Sequence, residues 1–164
     1  MFKRLTRAFN DMRTIKALCL GAERHANAEG QQAAGLEHFV LAAIDLPDGT
    51  ARKAFQSVNA DPDSFRSAIT LQHQQALESV GIGSDAEAPA PVPARTGAYR
   101  SRPQVGPMLE QLANRERRNV SEPLLGAHVI AAIAATEHGV AARALKAMGI
   151  DRHALANAAK RQTA

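Results

Sequence analysis

The residues able to do chemistry are few, and most stand at helix starts. His38 follows Glu37, and His128 stands ninety positions later behind Ala127. An imidazole can bind a metal or move a proton, but both roles need partners at helical spacing. The six histidines include no i,i+4 pair and no His-Glu-x-x-His, so no metal site is expected. His38 and His128 are read as structural, with a ring nitrogen bonding an orphan backbone group at a helix start. Glu37 suits a first-turn carboxylate favoured by the helix dipole. Cys19 is the single cysteine and excludes an internal disulfide. It falls on an apolar helical face with no base partner in reach by spacing, so it reads as a small buried hydrophobe. Glu137-His138 reads as a solvated loop. Gly49 and Gly139 read as backbone pivots between helices. Gly81-Ile82-Gly83 lacks the lysine of a phosphate loop, and Gly-x-x-x-x-Gly-Lys-Ser/Thr occurs nowhere in the chain. Nothing positions a catalytic constellation, and no cofactor is implied; the chain is expected not to be an enzyme.

Composition narrows the class. At 164 residues, the chain suits one compact domain or two small units sharing a core. Aromatic residues are only 4% and alanine is abundant, which favours closely packed helices over sheet. The formal charge is +4. Residues 1–80 carry nine basic and nine acidic side chains, so the excess lies further on. Arg115, Arg117 and Arg118 form the densest basic cluster, without the interleaved aromatics of a nucleic-acid stripe. A solvated helix end is the simpler reading, and nucleic-acid binding is the weaker alternative. No apolar run approaches the roughly 20 residues of a membrane span, and no apolar core follows the basic start. A cytoplasmic protein without a membrane partner is expected.

The elements that hold these residues come in two copies. Gly35-Leu36-Glu37-His38-Phe39-Val40-Leu41-Ala42 lies over Leu125-Gly126-Ala127-His128-Val129-Ile130-Ala131-Ala132 at an offset of 90. At the same offset, Gly49 to Phe55 falls on Gly139 to Leu145, Asp61 on Asp151, and Phe65 on Leu155. Ile15, Leu18, Cys19 and Ala22 likewise fall on Val105, Met108, Leu109 and Leu112. A constant offset over four segments implies a duplicated helical unit.

Each copy reads as four helices. Residues 1–10 look like a frayed basic arm, with Asn10 or Asp11 capping a helix to about Glu29. The second helix, Leu36 to about Leu46, is apolar nearly all round and therefore buried. Pro47-Asp48-Gly49 turns into a short helix, Thr50 to Val58. Asp61-Pro62 opens a fourth, about Asp63 to Ser79, burying Phe65, Ile69 and Leu77. Residues 81–104 are rich in Pro, Gly and Ala and read as a linker without a core pattern. The second copy runs from a helix at about Pro103 to Arg118, through one opened by Ser121-Glu122-Pro123, to one that Asp151 caps. The expected division is thus an arm (1–10), a first repeat (11–80), a linker (81–104) and a second repeat (105–164), in an all-α double-repeat domain.

Gly35-Leu36-Glu37-His38 followed by an apolar run, and Gly139-Val140-Ala141-Ala142-Arg143-Ala144-Leu145-Lys146-Ala147-Met148-Gly149-Ile150-Asp151, resemble the Clp N-terminal repeat. This is the double four-helix module of Clp-type AAA+ unfoldases. Both copies keep the family's spacing of eleven from His to Gly, His38 to Gly49 and His128 to Gly139. The resemblance implies a stand-alone module without motor or protease activity. It implies docking of a Clp unfoldase, its adaptors or protein substrates, as an accessory of Clp-dependent proteolysis; self-association stays open. Alternatively, the module would sequester a small peptidic ligand or a phosphoarginine-tagged protein. The family's Gly-Thr-Glu-His glutamate takes part in that recognition and transfers to Glu37, where it would take a guanidinium in bidentate fashion. Leu36 replaces the family threonine, and Ala127 replaces the glutamate in the second copy, so the anion-recognition sites depart from the pattern.

Overall fold

A computed structural model describes residues 2–83, 90–91, 93, 100–115 and 122–164. Among them are eight helices: α1 (Phe2–Ala28), α2 (Leu36–Ile44), α3 (Thr50–Gln56), α4 (Ser64–Ser79), α5 (Val105–Ala113), α6 (Gly126–Ala134), α7 (Val140–Ala147) and α8 (Arg152–Arg161). The extended contact among the described residues is a single parallel bridge between Ala34 and Ser101. The fold is all-α, as the composition and the repeat require.

The offset of 90 survives in space: α6 and α7 begin 90 residues after α2 and α3. All nine residues of α2 are buried, which explains why its sequence lacks a polar face. The short α3 and α7 each follow a glycine with positive φ, +67° at Gly49 and +105° at Gly139. Side chains other than glycine rarely adopt that backbone, so the turn between helices fixes the residue type. Asp151 caps α8 by accepting from the backbone N–H groups of His153 and Ala154.

The two copies do not form two separate cores. α4 packs on α7, and α8 packs on α3 and α6, so each unit's last helix lies against the other unit. Phe55 and Phe65 meet edge to face at 6.0 Å between ring centroids, and Phe39, Ile130, Leu145 and Leu155 join the same continuous core. α6 approaches α2 so closely that a Cβ on Gly126 would lie 2.9 Å from the Ala43 carbonyl oxygen.

Two boundaries and one burial differ from the sequence reading. The first ten residues are not an arm outside the helix: α1 is helical from Phe2. No proline interrupts this stretch, and Asp11 is no cap. Its buried side chain instead accepts at 2.7 Å from the N–H of Leu124, 113 positions away. α5 is shorter than Pro103 to Arg118, closing at Ala113 with a tight turn at Asn114 and Arg115; Arg117, Arg118 and Ser121 lie outside the described residues. Leu77 is 41% exposed, because the second half of α4 projects past the helices that cover Phe65 and Ile69.

Candidate functional site

Glu37 and His38 sit in the first turn of α2, where backbone N–H groups lack intrahelical partners. The His38 ring is fully buried and accepts at Nδ1 from the Gly35 N–H at 2.9 Å. With Nδ1 accepting, Nε2 carries the proton and meets Glu29 Oε2 at 3.1 Å. His128 repeats the arrangement at α6, accepting at Nδ1 from the Leu125 N–H at 3.0 Å. Burial, then the nearby Arg115 guanidinium, push His128 down from 6.5 to about 4. An accepting Nδ1 also requires that nitrogen to be unprotonated. Both rings thus close the loop onto the helix that carries them.

The two helix starts obtain negative charge from different places. At α2 it comes from Glu37, whose carboxylate folds back over Gly35; a Cβ there would lie 2.6 Å from Glu37 Oε2. At α6 the equivalent residue is Ala127, and the first unit supplies what is missing. Asp48 Oδ2 accepts from the Gly126 N–H at 3.1 Å, and Thr50 Oγ1 accepts from the Ala127 N–H at 2.9 Å. The absent carboxylate in the second copy is therefore replaced in space by Asp48, which local sequence does not reveal. The reverse exchange does not occur through equivalent side chains, because His138 and Val140 stand where Asp48 and Thr50 would be.

Glu37 is 3% exposed through its side chain and forms an ion pair with Arg102, Nη1 to Oε1 at 2.9 Å. Arg102 lies near the end of the Pro-rich stretch, 65 positions away, and also bonds Gln31 Oε1 through Nη2. Its backbone N–H donates to the Ala34 carbonyl at 2.8 Å, and the Ala34 N–H donates to the Arg100 carbonyl at 3.2 Å. Sequence reading missed Arg102. Its one local signal is an arginine just before the α5 start, which a linker tolerates equally well.

A cavity of about 210 Å³ opens at this ion pair, where the two units meet. Leu36, Glu37 and Arg102 form one wall; His138, Gly139 and Arg143 form the other. Leu36 itself is 7% exposed and contributes mainly to the core, so Glu37 and its partner carry the pocket's chemistry. Gly139 thus lies on the pocket, while Gly49 lies in the loop that caps α6.

A second polar seam runs behind the pocket. Burial works to raise Glu29, but the His38 hydrogen bond and the nearby Arg66 guanidinium offset it, holding its carboxyl below the usual value. Arg66 donates to His25 Nδ1 at 2.7 Å, and His25 Nε2 meets Asp45 at 2.8 Å. These contacts tie α1, α2 and α4 together. Among the described residues, no group of three or more His, Cys, Asp or Glu side chains converges as a metal site. Burial, then Glu23, push the Cys19 thiol up, away from the thiolate a nucleophile needs. Arg115 is half-buried, and burial holds its guanidinium below the usual arginine value.

A duplicated, interlocked all-helical unit with a small charged pocket at the junction defines a helical-repeat interaction module. Residues 14–92 match the family model described as the Clp repeat (R) N-terminal domain, so the first unit is similar to that domain. The match takes in most of α1, all of α2 to α4 and His38 to Gly49. No curated protein matches the chain. The match supports a Clp-associated protein-interaction module in general.

Proposed function

We propose that this protein is a non-catalytic accessory of Clp-dependent proteolysis or protein quality control, and that it docks a Clp unfoldase, an adaptor or a substrate segment at the Glu37 pocket. The observation that carries the reading is a nearly fully buried carboxylate beside a cavity at the junction of two Clp-type repeats. Buried carboxylates persist when a cation completes them, so the pocket is specific for the charge it accepts. Leu36 supplies apolar wall beside that charge. No helix among the described residues is long and apolar enough to cross a membrane, and the proposed place of action is the cytoplasm. Affinity capture with the full chain from cell extract tests the role. A Clp unfoldase, adaptor or client protein should be retained above a matrix control; retention of none of these removes the reading.

A second reading is capture of an arginine-bearing peptide or a phosphoarginine-tagged protein. The Glu37–Arg102 geometry favours it, because the pocket fits a guanidinium, with Arg143 opposite to meet an attached anion. Calorimetric titration with phosphoarginine should show saturable binding, and a flat trace rejects it. The nucleic-acid reading gains nothing from Arg115, whose Nη1 points into the protein.

A further inference from the structure

We propose that Arg102 is a tethered occupant of the Glu37 pocket, and that a partner's arginine side chain enters by exchanging with it. The proposal rests on the reading that this pocket is where a partner docks, and adds that the site is closed in cis.

The contact has the features of an exchangeable occupant rather than of a core tie. Glu37 is buried and needs a cation, whereas the Arg102 side chain is 35% exposed and is reached from outside. The backbone around Arg102 is held to the first unit by one bridge, two hydrogen bonds at Ala34. Lifting that short strap exposes Glu37 without opening the shared core, because neither Ser101 nor Arg102 is buried. The adjoining cavity of about 210 Å³ gives an incoming side chain room to approach before Arg102 leaves. Gln31 stays behind as an acceptor for whichever guanidinium is bound.

Among the described residues there is no duplicate of this device. The position equivalent to Arg102 in the first copy is Met12, which lies on α1 and is 70% exposed. At α6 the charge is carried by Asp48, which already accepts from Gly126 N–H, Thr50 N–H and the Thr50 hydroxyl. A single strap therefore controls a single site. A tethered side chain competes as if present at millimolar concentration or more. The apparent affinity for an outside ligand is reduced by the fraction of time the site is open.

The test uses the full chain and Nα-acetyl-arginine methylamide, titrated by calorimetry into the wild type, Arg102→Gln, Arg102→Ala and the double variant Glu37→Gln/Arg102→Gln. Removing Arg102 should tighten binding by about tenfold or more, and adding Glu37→Gln should abolish the gain. Arg102 variants that melt like the wild type yet bind no tighter overturn the proposal. Loss of a cooperative melt in both single variants overturns it as well, because an exchangeable occupant is not required for the fold. In the wild type, saturating ligand should speed hydrogen exchange at the Arg102 and Ala34 amides; binding with unchanged exchange there also counts against it. Arginine exchange without capture of any Clp component leaves the strap standing and removes the Clp role, so the two failures are told apart.

Discussion

At the scale of single residues, charge is placed where backbone groups need it. His128 makes this measurable. Its folded value of about 4 lies below its ordinary 6.5, so the fold holds the neutral ring. Stability from this group is complete above about pH 6.5 and is lost as pH falls toward 4, because the unfolded chain takes up the proton first. The ring is partly exposed, so solvent screening reduces the effect to about 1–2 kcal/mol. Melting temperature recorded from pH 7 to 4 should fall in the wild type, and the fall should be shallower in His128→Asn, which keeps an acceptor for Leu125 N–H. Cys19 gives a second readout. With its thiol pushed up by burial and Glu23, it should react with iodoacetamide at pH 7.5 more slowly than free cysteine. Alkylation at the free-thiol rate contradicts that environment. Asp11 shows what residue chemistry conceals: an Asp near a chain start has the type of a helix cap, yet its acceptor serves Leu124 across the fold.

At the scale of elements, helices were legible where their pattern is local. α2 and α6 announce themselves by apolar runs after a His at the third helical position, and α8 by Asp151 at its cap. The start of α1, the end of α5 and the exposed half of α4 were not, because helix boundaries and the reach of a helix past its neighbours carry no periodic signal of their own. The same holds for the site. Glu37 and Gly139 stood out through the repeat, while Arg102 and Asp48 act on residues 65 and 78 positions away and leave no periodic trace. The loop before α3 is the element with the most to lose. Asp48→Ala removes acceptors for Thr50 and Gly126 together and should cost about 2 kcal/mol in chemical denaturation. Gly126→Ala drives a methyl against the Ala43 carbonyl and the Ala51 methyl, and should cost about 1–3 kcal/mol. Unchanged midpoints would refute these contacts.

At the scale of the whole molecule, the repeats exchange their last helices. α4 covers α7 and α8 covers α3, so neither unit owns a complete core. Residues 1–83 made alone should therefore lack a cooperative melt by circular dichroism, since the Phe65 and Ile69 face would meet water. A sharp two-state transition in that fragment would show the units to be independent. The cap that Asp48 lends to α6 also constrains how the two copies can drift in sequence. While Asp48 serves Gly126, an alanine is tolerated at position 127, which is fully buried. Placing an acid there would crowd a second carboxylate into a filled cap, so Ala127→Glu should be harmful here although Glu37 is accommodated at the equivalent site. What position 127 tolerates is thus set by a residue of the other copy, and an acid there calls for a change at Asp48 as well.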